Sequence, residues 1–213
     1  MQFKTLVVAQ SADGNWQELD QIAQTASEHL ASGGILAHPT TGVYGLGGVR
    51  GSQIEQSLAR LKDRKSGGDF VYLVSDIDAA QKAFPKAVWS SLAERLAERL
   101  WPGPLTLVLD DEELTSIAIR VEAHPVTRTV LQCLAGAMSS TSLNRTGQSA
   151  AITGERARCV LSELPAVGHP VLFLDVGSLG GPPPSTLVRV RRDGYAILRS
   201  GAIDAATIEA ASR

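Results

Sequence analysis

The segment GGILAHPTTGVYGLGG, residues 33–48, followed by a short helical stretch and then LKDRK, residues 61–65, decides how the rest of the chain is read. A brief apolar strand from Ile35 to His38 runs into Pro39. A hydroxyl- and glycine-rich loop follows, carrying Thr40, Thr41, Tyr44 and the glycines Gly42, Gly45, Gly47 and Gly48. The next helix has a start signal in Ser52 and Glu55, a capping box in which each side chain satisfies the other residue's backbone N–H. That helix buries Ile54, Leu58 and Leu61, spaced by four and three. Lys62, Arg64 and Lys65 sit at its end, ahead of Gly67-Gly68. A polar loop leaving a strand, with a cationic cluster where the following helix stops, suits a small anionic ligand. Taken alone, the cations are equally well explained by the helix dipole and the glycines by turn geometry. The later segments decide.

Outward from this stretch, strands and helices interleave, which makes the class α/β. Strands are expected at Phe3–Ala9, Phe70–Val74, Leu105–Leu109, Ile117–Val121, Met138–Ser142 and Val171–Val176. A hairpin is expected from Ser185–Val190 and Tyr195–Leu198 across Arg192-Asp193-Gly194. Helices are expected at Trp16–Ala31, after Asp76, at Ala87–Leu100, from His124-Pro125, at Glu155–Leu164 and after Asp204. The outer face of Ala87–Leu100, with Glu94, Arg95, Glu98 and Arg99, reads as simply solvated. Adjacent strands without intervening helices near 105–121 and 185–198 call for a mixed sheet. With no internal repeat and no long linker, one domain over 1–213 is expected.

The 213 residues, 44% hydrophobic and 20% charged, are ordinary for a soluble globular protein. A net charge of −2 excludes a globally basic nucleic-acid binder, though not a local basic patch. Cys133 and Cys159 are too few for a disulfide framework and lack zinc spacing, so buried reduced thiols are expected. The apolar run Leu6–Ala9 is too short for a signal peptide, and nothing approaches a membrane span. A cytoplasmic location follows.

Polar groups recur at strand ends or just after them: Thr40, Tyr44, Lys62, Arg64, Arg120, the run Ser139 to Ser142, Asn144, Ser185-Thr186 and Arg199. Such ends are where α/β sheets bind ligands. Arg, Lys and hydroxyls converging without a His/Cys cluster point to phosphate or carboxylate recognition. There is no GxSxG elbow and no triad spacing, so a nucleophile-centred mechanism lacks support. The plain readings are a Ser-rich strand edge at 139–142, a solvated Arg120, a turn at GGPPPST, and structural roles for His38 and His124.

These residues resemble the YrdC-type threonylcarbamoyl-AMP synthases, whose relatives include the YrdC-like domain of hydrogenase-maturation carbamoyltransferases. The resemblance lies in PTTGVYGLG (39–47), LKDR (61–64), WPGPLTLVL (101–109), IAIRVEAHP (117–125), STSLNRTG (140–147), PSTLV (184–188) and LRSG (198–201), in the family's order across most of the chain. It implies a YrdC-like fold, an open twisted α/β sheet with flanking helices and a large concave cavity. It implies a nucleotidyltransferase joining L-threonine, bicarbonate and ATP into threonylcarbamoyl-adenylate, with pyrophosphate released and Mg²⁺ on the ATP. Partner proteins would pass the threonylcarbamoyl group to tRNA, and double-stranded RNA is a further possible partner. By motif, Lys62 and Arg64 would hold ATP phosphates and carry catalysis, and Arg199, Ser116, Ser142 and Asn144 would bind the nucleotide. Thr40, Arg120, Ser140 and Ser185 would hold threonine, with Arg120 on its carboxylate and Tyr44 lining the same cavity.

The chain departs from the family pattern in four places. Thr41 and Gly42 stand where an acidic and then a hydroxyl residue are usual, Lys65 replaces a proline, and Leu143 replaces a smaller alanine beside the expected nucleotide. The chain ends soon after LRSG, so no additional C-terminal domain is expected. Two other readings remain: a divergent, non-catalytic RNA- or nucleotide-binding YrdC-like paralogue, and a carbamoyl-adenylate enzyme using carbamoyl phosphate. The second is the weaker, since such proteins normally carry further domains.

Overall fold

The computed structural model describes residues 1–62, 70–111, 115–181 and 183–213. Its first strands are β1 (Lys4–Val7), β2 (Ile35–Pro39), β3 (Tyr44–Val49), β4 (Val71–Val74) and β5 (Leu105–Asp110). The others are β6 (Ser116–Val121), β7 (Met138–Ser142), β8 (Val171–Asp175), β9 (Thr186–Arg191) and β10 (Gly194–Arg199). The helices are α1 (Leu19–Ala31), α2 (Gln53–Leu61), α3 (Ile77–Ala83), α4 (Ser91–Leu100), α5 (Pro125–Leu134), α6 (Gly154–Glu163) and α7 (Ala205–Ser212). The strands form one mixed sheet in the order β1-β8-β2-β3-β7-β4-β6-β5-β9-β10. Parallel pairs (β1/β8, β2/β8, β4/β6, β5/β9) are mixed with antiparallel ones, and the helix-free connections β2–β3, β5–β6 and β9–β10 each join antiparallel neighbours.

The largest departure from expectation is β3. The sequence reads as a glycine-rich loop, yet Tyr44–Val49 is a buried strand paired with both β2 and β7. Glycine in a strand interior marks a close approach. A Cβ on Gly47 would lie 2.3 Å from the Ser139 carbonyl oxygen, and one on Gly45 would lie 2.8 Å from the His38 ring.

Alternation along the strands then assigns each side chain to a face. One face carries Ala37, Leu46, Phe173, Ile119, Leu107 and Val188 against α2, α6, α3, α4 and α7. The other carries Leu36, Leu73, Met138 and Leu172, covered by α1 and α5 through Ala26, Leu30, Val130 and Leu131. Each such fully buried Leu or Val contributes about 1.5–3 kcal/mol. The helices of that second core stop short of Arg120, Ser140 and Ser142, which line a cavity instead.

Local details correct several expectations. Ser52 precedes α2, but its hydroxyl donates to Val49 O at 2.6 Å and makes no cap bond, so the capping box does not form. The helix expected from Ala87 starts at Ser91, capped by Ser90, because Ala87 and Val88 are held against Asp110 and Asp111. The outer face of α4 is not simply solvated: Arg95 and Arg99 donate to the carbonyls of Ser212, Ala210 and Ala211 at the end of α7. Cys133 and Cys159 are free but exposed, not buried. No helix among the described residues is long and apolar enough to cross a membrane.

Candidate functional site

The uncovered part of the second face holds a cavity of about 280 Å³. Its walls come from the turn after β2 (Thr40–Val43), from Gly45, Val71, Leu73, Arg120, Ser140 and Ser142 on the central strands, and from Ser185 and Arg199. Alternation explains the strand contribution. Ser140 and Ser142 share a face of β7, and the register sets Val71 opposite Ser140 and Leu73 opposite Arg120.

The turn is closed by Thr40, whose Oγ1 donates to Val43 O at 2.6 Å. Thr41 points across to Glu122, a residue to which the sequence assigned no role. The Glu122 carboxylate is fully buried and accepts from Thr41 N (3.1 Å), Thr41 Oγ1 (2.7 Å), Ala123 N (3.0 Å) and His124 N (3.0 Å). Its other oxygen pairs with Arg120. Burial alone would raise the Glu122 pKa, but Arg120, the His124 amide and Thr41 outweigh it and hold the carboxyl below its ordinary range. Its one sequence signal is an acid set directly after a strand whose apolar residues alternate at Ile117, Ile119 and Val121. Arg120 is thereby fixed, with its Nε buried and without a hydrogen-bond partner among the described residues.

Arg199 reaches the cavity through a bulge. The β9/β10 pairing shifts between Ile197 and Arg199, so Arg199 sits opposite Leu187 while Leu198 stays exposed. Regular pairing would have turned Arg199 to the apolar face. Its guanidinium donates to Ser185 O (2.9 and 3.3 Å) and Ser185 Oγ (3.2 Å). Ser185 also bonds Thr106 Oγ1 at 2.8 Å. Burial, and then the Arg120 charge, lower the Arg199 pKa. Two guanidiniums share one cavity, and of the two only Arg120 has a carboxylate partner among the described residues, which leaves a field that favours an anion.

Lys62, the residue after α2, is buried and donates to Asn144 O at 2.8 Å and to Asn144 Oδ1. Ser142 Oγ donates to the same Oδ1 at 2.8 Å. Lys62 and Asn144 therefore stand behind the wall and reach it through Ser142.

Other expected site residues do not converge. Tyr44 does not line the cavity: it has opposite parity to Gly45, and its hydroxyl donates to Gly177 O at 2.9 Å on the far face. Ser116 lies at the other end of β6, roughly 13 Å along the strand from Arg120, bonded to Asp110 and Arg189. Leu143 points into the core with Tyr44 and Ala151, not toward the cavity, so its bulk does not crowd a ligand. Arg64 and Lys65 lie outside the described residues.

His38 is fully buried below Ser140, with Nε2 at 3.1 Å from Ser140 Oγ. Burial pushes its pKa from 6.5 down to about 4. The folded chain resists a proton that the unfolded chain accepts, so this contribution is complete above pH 6.5 and is lost as pH falls toward 4. Stability should fall by on the order of 3 kcal/mol across that window. Urea unfolding of wild type and His38→Phe at both ends checks this; an equal fall in both would exclude His38 as the cause.

A protein-family model described as "Telomere recombination" (Sua5_yciO_yrdC) matches residues 28–201. The chain is 31% identical over 192 residues to a threonylcarbamoyl-AMP synthase of Chromohalobacter salexigens, covering 84% of this chain and 97% of that one. It is 32% identical over 186 residues to that of Xylella fastidiosa, covering 80% and 92%. Among solved structures, P. abyssi Sua5 complexed with L-threonine superposes with a TM-score of 0.82 at 20% identity over 97% of this chain, which spans 60% of that protein's length. E. coli YciO gives 0.80 at 21% identity, covering 97% and 100%. At these identities the two structures speak for the fold.

Proposed function

Because this chain belongs to the Sua5/YciO/YrdC family, we propose that it makes L-threonylcarbamoyl-adenylate from L-threonine, bicarbonate and ATP. The threonine amine takes up the bicarbonate carbon with loss of water. The resulting carbamate oxygen attacks the α-phosphorus, and the bond to pyrophosphate breaks. Such chemistry needs positioning and charge neutralisation more than a protein nucleophile. The observation that carries the reading is the pairing of Arg120 and Arg199 in one cavity with Thr40, Ser140 and Ser185. Arg120, with its fork half used by Glu122, suits the threonine carboxylate. Arg199 and Ser142 suit the nucleotide, with Lys62 and Asn144 supporting Ser142 from behind the wall and Arg64 two residues beyond Lys62 in sequence. Ser116 and Tyr44 are left out by their positions.

Among the described residues no group of three or more His, Cys, Asp or Glu could hold a metal ion. Mg²⁺ would be carried on the ATP phosphates, as part of the substrate. The product would be handed to proteins that transfer the threonylcarbamoyl group to tRNA in the cytoplasm.

Pyrophosphate release from ATP, bicarbonate and Mg²⁺, with and without L-threonine, tests this. Release should require threonine and fall about tenfold in Lys62→Ala, the loss of one charge-assisted contact. No release, together with salt-sensitive retention of duplex RNA, would move the reading to the non-catalytic binding paralogue.

A further inference from the structure

The hydroxyls on the cavity wall have a direction. Thr40 Oγ1 gives its proton to Val43 O and Ser142 Oγ gives its own to Asn144 Oδ1. The Ser140 hydroxyl is different, because its partner is an imidazole nitrogen, His38 Nε2 at 3.1 Å, which can donate or accept.

The other ring nitrogen resolves the direction. His38 Nδ1 lies 3.3 Å from the Pro39 carbonyl oxygen, which can only accept. The ring is fully buried and, with its pKa pushed down to about 4, neutral near pH 7, so it holds one proton. That proton belongs on Nδ1. Nε2 is then a bare lone pair, and Ser140 must donate to it. Gly45 reserves the space for this arrangement: a Cβ there would lie 2.8 Å from the ring and 3.0 Å from Ser140 Oγ.

We propose that His38 is a positioning residue that turns the Ser140 lone pairs into the cavity, so that Ser140 accepts a hydrogen bond from the α-amino group of the amino-acid substrate. Arg120 is a donor only, so the wall would then read both ends of an amino acid: a cation for its carboxylate, an acceptor for its amine. Accepting one N–H also orients the nitrogen lone pair that must attack the bicarbonate carbon. The inference rests on the amino-acid subsite proposed above.

Two measurements test it. In the ¹⁵N-labelled full chain, imidazole nitrogen shifts should show His38 protonated at Nδ1 and bare at Nε2; the opposite tautomer overturns the inference whatever any variant does. By calorimetry, the affinity of L-threonine should be compared with that of (3R)-3-hydroxybutanoate, which lacks only the amine. Their ratio should fall about tenfold in His38→Phe, with ATP affinity unchanged. His38→Gln, whose amide oxygen can accept the Ser140 proton, should restore part of the ratio. Equal weakening of both acids would reveal a merely structural histidine and overturn the inference. A wild type that binds ATP but neither acid would overturn the amino-acid reading of the site, and this inference with it.

Discussion

Glu122→Ala should destabilise the folded chain by about 3–5 kcal/mol, the range for breaking a buried ion pair by removing one partner. The carboxylate is fully buried and serves Arg120, Thr41 and two backbone amides at once. Its removal leaves a cation and several donors unpaired under the cavity, and frees the turn at Thr41. Glu122→Gln keeps an acceptor but not the charge, so its loss should be smaller. Because the folded Glu122 pKa lies below the ordinary 4.5, the pair's contribution is complete above that pH and is lost as pH falls through the folded value. Urea unfolding at pH 7 is the measurement. A loss under about 1 kcal/mol would show that water reaches the pair and that Glu122 does not organise the site.

Arg120→Ala should lower threonine-dependent pyrophosphate release by roughly 100-fold at subsaturating threonine, the upper end for one charge-assisted contact. The same variant strands Glu122, so binding and folding effects must be separated. Arg120→Lys does this. An ammonium keeps a positive charge beside Glu122, so most of the stability should return. It lacks the planar fork, so the threonine KM should stay well above wild type. If Arg120→Lys recovered full activity, Arg120 would be a counter-ion for Glu122 and not the partner of the substrate carboxylate.

The strand and helix order was legible because apolar periodicity reports it directly. Val126, Val130 and Leu131 mark the buried side of α5, and Asp76 and Asp204 cap the helices they precede, accepting from Ala79 N and Thr207 N at 2.7 Å. β3 was not legible, because glycine carries a turn signal whatever its neighbours, and only the Ser139 carbonyl and the His38 ring explain its use there. Tyr44 was misplaced for a related reason. Once residues 44–49 are a strand, alternation sends Gly45 to the cavity and Tyr44 to the core.

By itself the sequence determined the α/β class, the mixed sheet and a set of arginines and hydroxyls at strand ends, since residue types and spacings are local properties. Tertiary structure decided which of them meet. A bulge at Leu198 brings Arg199 to the same face as Arg120. A pairing register sets Ser140 over His38, and a buried Glu122 joins the Thr41 turn to the end of β6. Register, bulge and buried charge pairing arise between segments far apart in the chain, so no single stretch of sequence records them.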